Sequence, residues 1–85
     1  MIIWKYELAI TELQLIDVSI DAEFLSVDNQ RGQLCLWIML DPLQKTHRRR
    51  IEVFGTGHEM DLAKRKFIGT VLIGSFVWHV FERLA

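Results

Sequence analysis

The run Leu34-Cys35-Leu36-Trp37-Ile38-Met39-Leu40 is apolar at every position, so a strand built from it needs cover on both faces. Its length suits a central strand better than a helix. Asp41-Pro42 ends it, because proline has no N–H for a ladder and biases its predecessor toward extended or turn conformation. Around this spine the dominant period is two. Trp4, Tyr6, Leu8 and Ile10 alternate with Lys5 and Glu7, the pattern of a half-buried strand with its aromatic residues inward. Leu13 and Leu15 are out of phase with Ile16, Val18 and Ile20, which predicts a bulge or turn before a short strand. Leu25 and Val27 share a face and lead into Asn29-Gln30-Arg31-Gly32, a hairpin turn in which Gly32 supplies positive φ. Strand character resumes over 48–54 through Ile51, Val53 and Phe54. The polar stretch 59–66 holds at most a turn or two of helix around Met60, Leu62 and Ala63. Segments 67–73 and 76–83 flank Gly74-Ser75, a pair suited to a type II′ hairpin.

These elements predict a mainly β fold: a small antiparallel sandwich or partly open barrel of about six or seven strands, with at most one short helix. Residues 1–85 form a single β domain, and the 51% hydrophobic content is that of a folding chain rather than a disordered tail. A core this small cannot cover three tryptophans and five phenylalanines easily, so a homo-oligomer is expected. Ten Lys and Arg against eleven Asp and Glu make no global basic field, which argues against sequence-specific DNA binding and against an anionic membrane as partner. The single Cys35 excludes a disulfide framework and paired-cysteine zinc sites, and makes a reducing compartment the simplest setting. No leader pattern is visible at Met1-Ile2-Ile3-Trp4-Lys5. Residues 67–81 lack Asp, Glu, Lys and Arg but are shorter than the ~18 apolar residues of a spanning helix.

The chemical inventory is thin. The histidines are His47, His58 and His79, and neither a Gly-x-Ser-x-Gly nor a His-Glu-x-x-His spacing occurs. Cys35 sits inside the apolar run, where a thiol is a small inert core residue. His58-Glu59 with Asp61 is too loose for a metal site, and His79, in phase with Val77 and Phe81, reads as a satisfied histidine at a core edge. No enzyme, cofactor or metal is therefore expected. The informative surface is cationic: His47-Arg48-Arg49-Arg50, then Gly55-Thr56-Gly57-His58, then Lys64-Arg65-Lys66. Glycines flanking a threonine let backbone N–H groups converge as an anion nest, and arginine adds bidentate donors. Gly69-Thr70 is a second such segment. Strand alternation sends Arg48 and Arg50 to one face with Glu52, and Arg49 to the other with Ile51 and Val53. The candidate ligand contacts are Arg49, Thr56 and His58, with Arg48, Arg50 and Lys66 as electrostatic support, Gly55 and Gly57 as nest residues and Trp78 as a stacking surface. The bland alternative is a solvated edge strand for the arginines and core positions for Trp4, Trp37 and Trp78.

Several segments carry a resemblance: Trp4-Lys5-Tyr6-Glu7-Leu8, Leu34-Cys35-Leu36-Trp37, Gly55-Thr56-Gly57-His58, Phe67-Ile68-Gly69-Thr70-Val71 and Phe76-Val77-Trp78-His79-Val80-Phe81-Glu82. Together they make the chain resemble a family of short tailed-phage and prophage proteins over nearly its whole length. The resemblance implies a protein made in the host cytoplasm during infection and carries over no catalytic residue. The expected function is an accessory binding protein that counters host antiviral defence by sequestering a phosphorylated, nucleotide-like signal at the patch around Arg48–Arg50 and Gly55–His58. The alternative is an anti-CRISPR-like, protein-binding inhibitor of a host defence nuclease or effector, using the same arginines against an acidic surface.

Overall fold

The computed structural model describes residues 1–84, and among them are seven strands and no helix. They are β1 (Ile2–Glu7), β2 (Gln14–Ser19), β3 (Glu23–Gln30), β4 (Gln33–Leu40), β5 (Thr46–Gly55), β6 (Arg65–Ile73) and β7 (Phe76–Arg83). Two antiparallel sheets, ordered β1-β4-β3 and β2-β5-β7-β6, form the expected sandwich without closing into a barrel. The apolar run is β4, central in the three-stranded sheet. Its Leu34, Leu36, Ile38 and Leu40 join Ile16, Val18, Ile51, Val53, Val71 and Val80 in the core.

Turn chemistry accounts for both tight hairpins. Arg31 and Gly32 each have positive φ, 54° and 85°, as a two-residue type I′ loop requires, and the Asn29 side chain accepts from the Gly32 N–H. Gly74 takes φ 61° while Ser75 does not share the positive region, which is the type II′ pattern. The stretch 59–66 holds no helix. β5 and β6 both run antiparallel to β7, so they are parallel to each other, and residues 56–64 return the chain across the outer face of β7 as an extended crossover.

The sandwich is shut on one side and open on the other. On the shut side β3 meets β6: Asn29 donates its side-chain amide to Leu72 O at 3.1 Å. A Cβ on Gly69 would lie 2.7 Å from Val27 Cγ2, so this approach needs glycine at the β6 bulge. On the open side β1 and β2 are both edge strands, and between them lies a cavity of about 220 Å³ lined mainly by Trp4, Tyr6, Val18, Ile38, Leu40 and Pro42. This geometry corrects the core assignment of two tryptophans. Trp4 faces inward but sits on the edge and stays 54% exposed, and Trp37 lies on the outer face of β4, half-buried.

Candidate functional site

β5 carries both halves of the expected anion site, and it separates them. Arg49 and Gly55 are six positions apart on one continuous strand, about 20 Å at a strand's rise per residue. The convergence of the arginine run and Gly55-Thr56-Gly57-His58 on one concavity is therefore corrected: they occupy opposite ends of the sheet. Lys66 stands with the arginines, opposite Glu82 in the β6–β7 pairing.

At the arginine end the cations are met by acids of the same chain. Arg49 turns inward as alternation predicts, gives Nε and Nη2 to the two oxygens of Glu82 at 2.6 and 2.7 Å, and gives Nη1 to Ala22 O at 2.6 Å. Its guanidinium also covers the Phe24 ring at 4.1 Å. Arg48 pairs with Asp17 across the β2–β5 ladder at 3.2 Å. On the outer face, buried Glu52 is held by Arg65 at 2.8 Å and Arg83 at 3.0 Å, and both arginines reach on to Asp61 in the crossover. Hydrogen bonds from Arg83 and then Arg65 hold the Asp61 carboxyl down to about 2, well below the ordinary carboxylate value. This network anchors the crossover over Phe54, whose ring lies under the Arg65 guanidinium. Arg50, opposite Arg83 in the ladder, is the one arginine of the run with no ion pair among the described residues.

The Gly55 end is not a nest. The Gly55 N–H donates to His58 Nδ1 at 3.1 Å, the Thr56 N–H to Val77 O at 3.3 Å and the His58 N–H to Gly55 O at 3.1 Å. Three of the donors that an anion would need are already spent. What this end builds instead is a junction of segments distant in sequence. His79 has Thr56 Oγ1 2.7 Å from Nε2 and Thr70 Oγ1 3.0 Å from Nδ1, which ties the turn after β5 to β7 and β6. His58 folds back over Gly55, where a Cβ would stand 2.8 Å from its ring, and sets that ring edge-on to Trp78 at 6.2 Å. Because Nδ1 accepts the Gly55 N–H, the neutral imidazole carries its hydrogen on Nε2.

Beside this junction lies a cavity of about 490 Å³, lined by Gly55, Thr56, His58, Ser75, Phe76, Val77 and Trp78. The Phe76 and Trp78 rings are 6.2 Å apart and tilted by 36°, so they line the wall without stacking on each other. Four of the expected ligand contacts, Gly55, Thr56, His58 and Trp78, are thus brought together, while Arg48, Arg49, Arg50 and Lys66 are not. Ser75, Phe76, Thr70 and His79 were not among the expected contacts. The Thr70–His79 pairing was readable, since a two-residue turn at Gly74-Ser75 sets that register.

The threonine–histidine–threonine chain has the outline of a nucleophile, a base and an orienting group. Of the nearby donors, the N–H groups of Thr56 and His58 are bonded internally and are not free to receive an oxyanion. Among the described residues no group of three or more His, Cys, Asp and Glu is placed to hold a metal ion. Among the described residues no helix is long and apolar enough to cross a membrane.

No curated protein and no solved structure matches the chain. The junction is assembled from Gly55-Thr56-Gly57-His58, Gly69-Thr70 and Val77-Trp78-His79, which lie on or next to the last three strands. The chain belongs to DUF7352, a domain of unknown function, whose family model covers residues 1–85.

Proposed function

We propose that this is a non-enzymatic binding protein that holds the planar ring of a nucleotide-like ligand in the cavity between Gly55–His58 and Ser75–Trp78. The single observation that carries this reading is the aromatic wall of Phe76 and Trp78 facing a histidine whose Nε2–H is fixed as a donor by the Gly55 N–H on Nδ1. A nucleobase offers a face for the rings and ring nitrogens or carbonyls for that donor and for the Ser75 hydroxyl. Phosphate plays a smaller part than the arginine run suggests, because the N–H groups of Gly55, Thr56 and His58 are spent and the arginines lie at the far end of β5. The resemblance to short phage proteins supports an accessory role in the host cytoplasm, with the ligand a signal of antiviral defence that is removed by sequestration. The rival use of the arginines, capping an acidic surface of a defence nuclease or effector, has less support, since Arg48 and Arg49 already hold Asp17 and Glu82.

Calorimetry and NMR titration with nucleosides, their monophosphates and cyclic dinucleotides test the reading. The Trp78 indole and His58 ring resonances shift on saturation, and a nucleoside binds within about threefold of its phosphate, as expected when no lysine or arginine lines the site. Absence of any shift at millimolar nucleoside, or binding that is lost when the phosphate is removed, overturns it.

A further inference from the structure

The open side of the sandwich carries an unpaired backbone edge whose phase can be worked out residue by residue. Leu8 N–H donates to Leu34 O at 2.9 Å in the β1–β4 register. In an antiparallel ladder bonded pairs alternate, so Ile2, Trp4, Tyr6 and Leu8 turn their N–H and C=O toward β4, while Ile3, Lys5 and Glu7 turn theirs outward. The next outward residue, Ala9, is already capped. Its N–H donates to Gln14 Oε1 at 3.0 Å and its C=O accepts from Gln14 Nε2 at 2.7 Å, so one side-chain amide takes the place of a neighbouring strand. No such cap covers Ile3, Lys5 or Glu7, and alongside them Ile2, Ile3 and Trp4 are 45%, 65% and 54% exposed. The other edge on this side, β2, is already engaged at Ser19, whose C=O accepts the Ala22 N–H.

We infer that two copies of this chain pair antiparallel through β1, about a twofold axis at Trp4, joining two three-stranded sheets into one of six strands. Of the registers that use the outward groups, one centred on Ile3 leaves Glu7 without a partner and one centred on Glu7 opposes two carboxylates, and the structure separates the remaining three. Centring on Lys5 sets two ammonium groups opposite each other, which is unfavourable. Centring on Tyr6 sets Ile3 against the partner subunit's Ala9, whose backbone the Gln14 amide occupies. Centring on Trp4 opposes Ile3 to Lys5 of the partner subunit, Ile2 to Tyr6 of the partner subunit, and Trp4 to its own copy. Lys5 fits this arrangement because its ammonium leans back across β4 to Gln30 Oε1 at 2.6 Å, which leaves its aliphatic stem at the edge for Ile3. Trp4 is a non-hydrogen-bonded position in the new pair, where opposed side chains come closest and aromatic pairs gain most. The same pairing brings the second indole to the mouth of the apolar cavity between β1 and β2. A second copy is the favoured occupant because one register satisfies the outward backbone groups, covers the exposed apolar side chains and opposes no like charges. This inference is independent of the ring-binding cavity, which lies at the β5–β7 end of the other sheet.

Sedimentation equilibrium from about 1 to 100 μM, with amide exchange followed by NMR, tests the assignment. The expected result is a twofold rise in mass with concentration, with the amides of Ile3 and Lys5 protected about tenfold or more in the dimer and unprotected on dilution. Lys5→Pro removes an outward N–H without touching the β1–β4 ladder, since edge positions tolerate proline, and is expected to be monomeric with an unchanged circular dichroism spectrum. A wild-type chain that stays at 10.0 kDa throughout, a folded Lys5→Pro chain that still dimerises, or a dimer with freely exchanging Ile3 and Lys5 amides each overturns the inference. Should Lys5→Pro fail to fold, the exchange measurement on the wild-type chain decides alone.

Discussion

Arg49 grips both carboxylate oxygens of Glu82, 33 positions away in the chain, from the inner side of the sandwich. The Arg49 side chain is only 18% exposed and that of Glu82 only 9%. Buried charges of this kind are tolerated only when paired and further hydrogen-bonded, and Ala22 O supplies the extra bond. The arginine that strand alternation turned toward a possible ligand is in this way a structural residue.

Arg49→Ala should therefore destabilise the fold by about 3–5 kcal/mol, because Glu82 is left charged and without its partner. Replacing both, as Arg49→Met with Glu82→Leu, should recover most of that loss. Urea denaturation of the three chains checks this, and a single variant as stable as the double would contradict it.

Gly69→Ala places a methyl group 2.7 Å from Val27 Cγ2, where β3 and β6 approach. A cost of about 1–3 kcal/mol is expected from overpacking. Val27→Ala should restore much of it in the double variant, a coupling that a thermal-melt double-mutant cycle measures directly.

Gly55→Ala acts on the cavity instead. The added Cβ falls 2.8 Å from the His58 ring and pushes it off the Gly55 N–H. The His58–Trp78 contact opens, and nucleoside affinity should fall about tenfold, one lost oriented hydrogen bond, while the β signature in circular dichroism is kept. Unchanged His58 ring shifts in the variant would refute the account of how that ring is held.

The acid side of the stability profile follows from Asp61. Its carboxyl titrates near 2 in the folded chain against an ordinary 3.8. The folded state thus favours the ionised form, and this contribution is present above pH 4 and is lost as the pH falls toward 2. Asp61→Asn should flatten the pH dependence of unfolding between those limits and leave the rest of the profile in place. Chemical denaturation at pH 5, 3.5 and 2.5 reads out the difference.

Much of the fold was legible because its causes are local. An apolar heptapeptide demands two covered faces, alternation assigns Arg49 to one face and Arg48 to the other, and Gly74-Ser75 dictates both a turn type and the register that brings Thr70 to His79. The candidate site was legible only in part for the opposite reason. The run of arginines looked available because their acids, Asp17 and Glu82, lie 31 and 33 positions away, and no local rule pairs them.

Sequence alone thus settled which segments are strands, where they turn and which side chains share a face, since those follow from backbone sterics and a period of two. Strand order was left to the assembled fold. Placing β5 between β2 and β7 gave Arg48 and Arg49 their carboxylates, folding His58 back onto Gly55 spent one donor of an apparent nest, and leaving β1 at an edge put Trp4 half in solvent. Those outcomes depend on contacts between residues far apart in the chain, where ion pairing and exposure are decided by what happens to lie alongside.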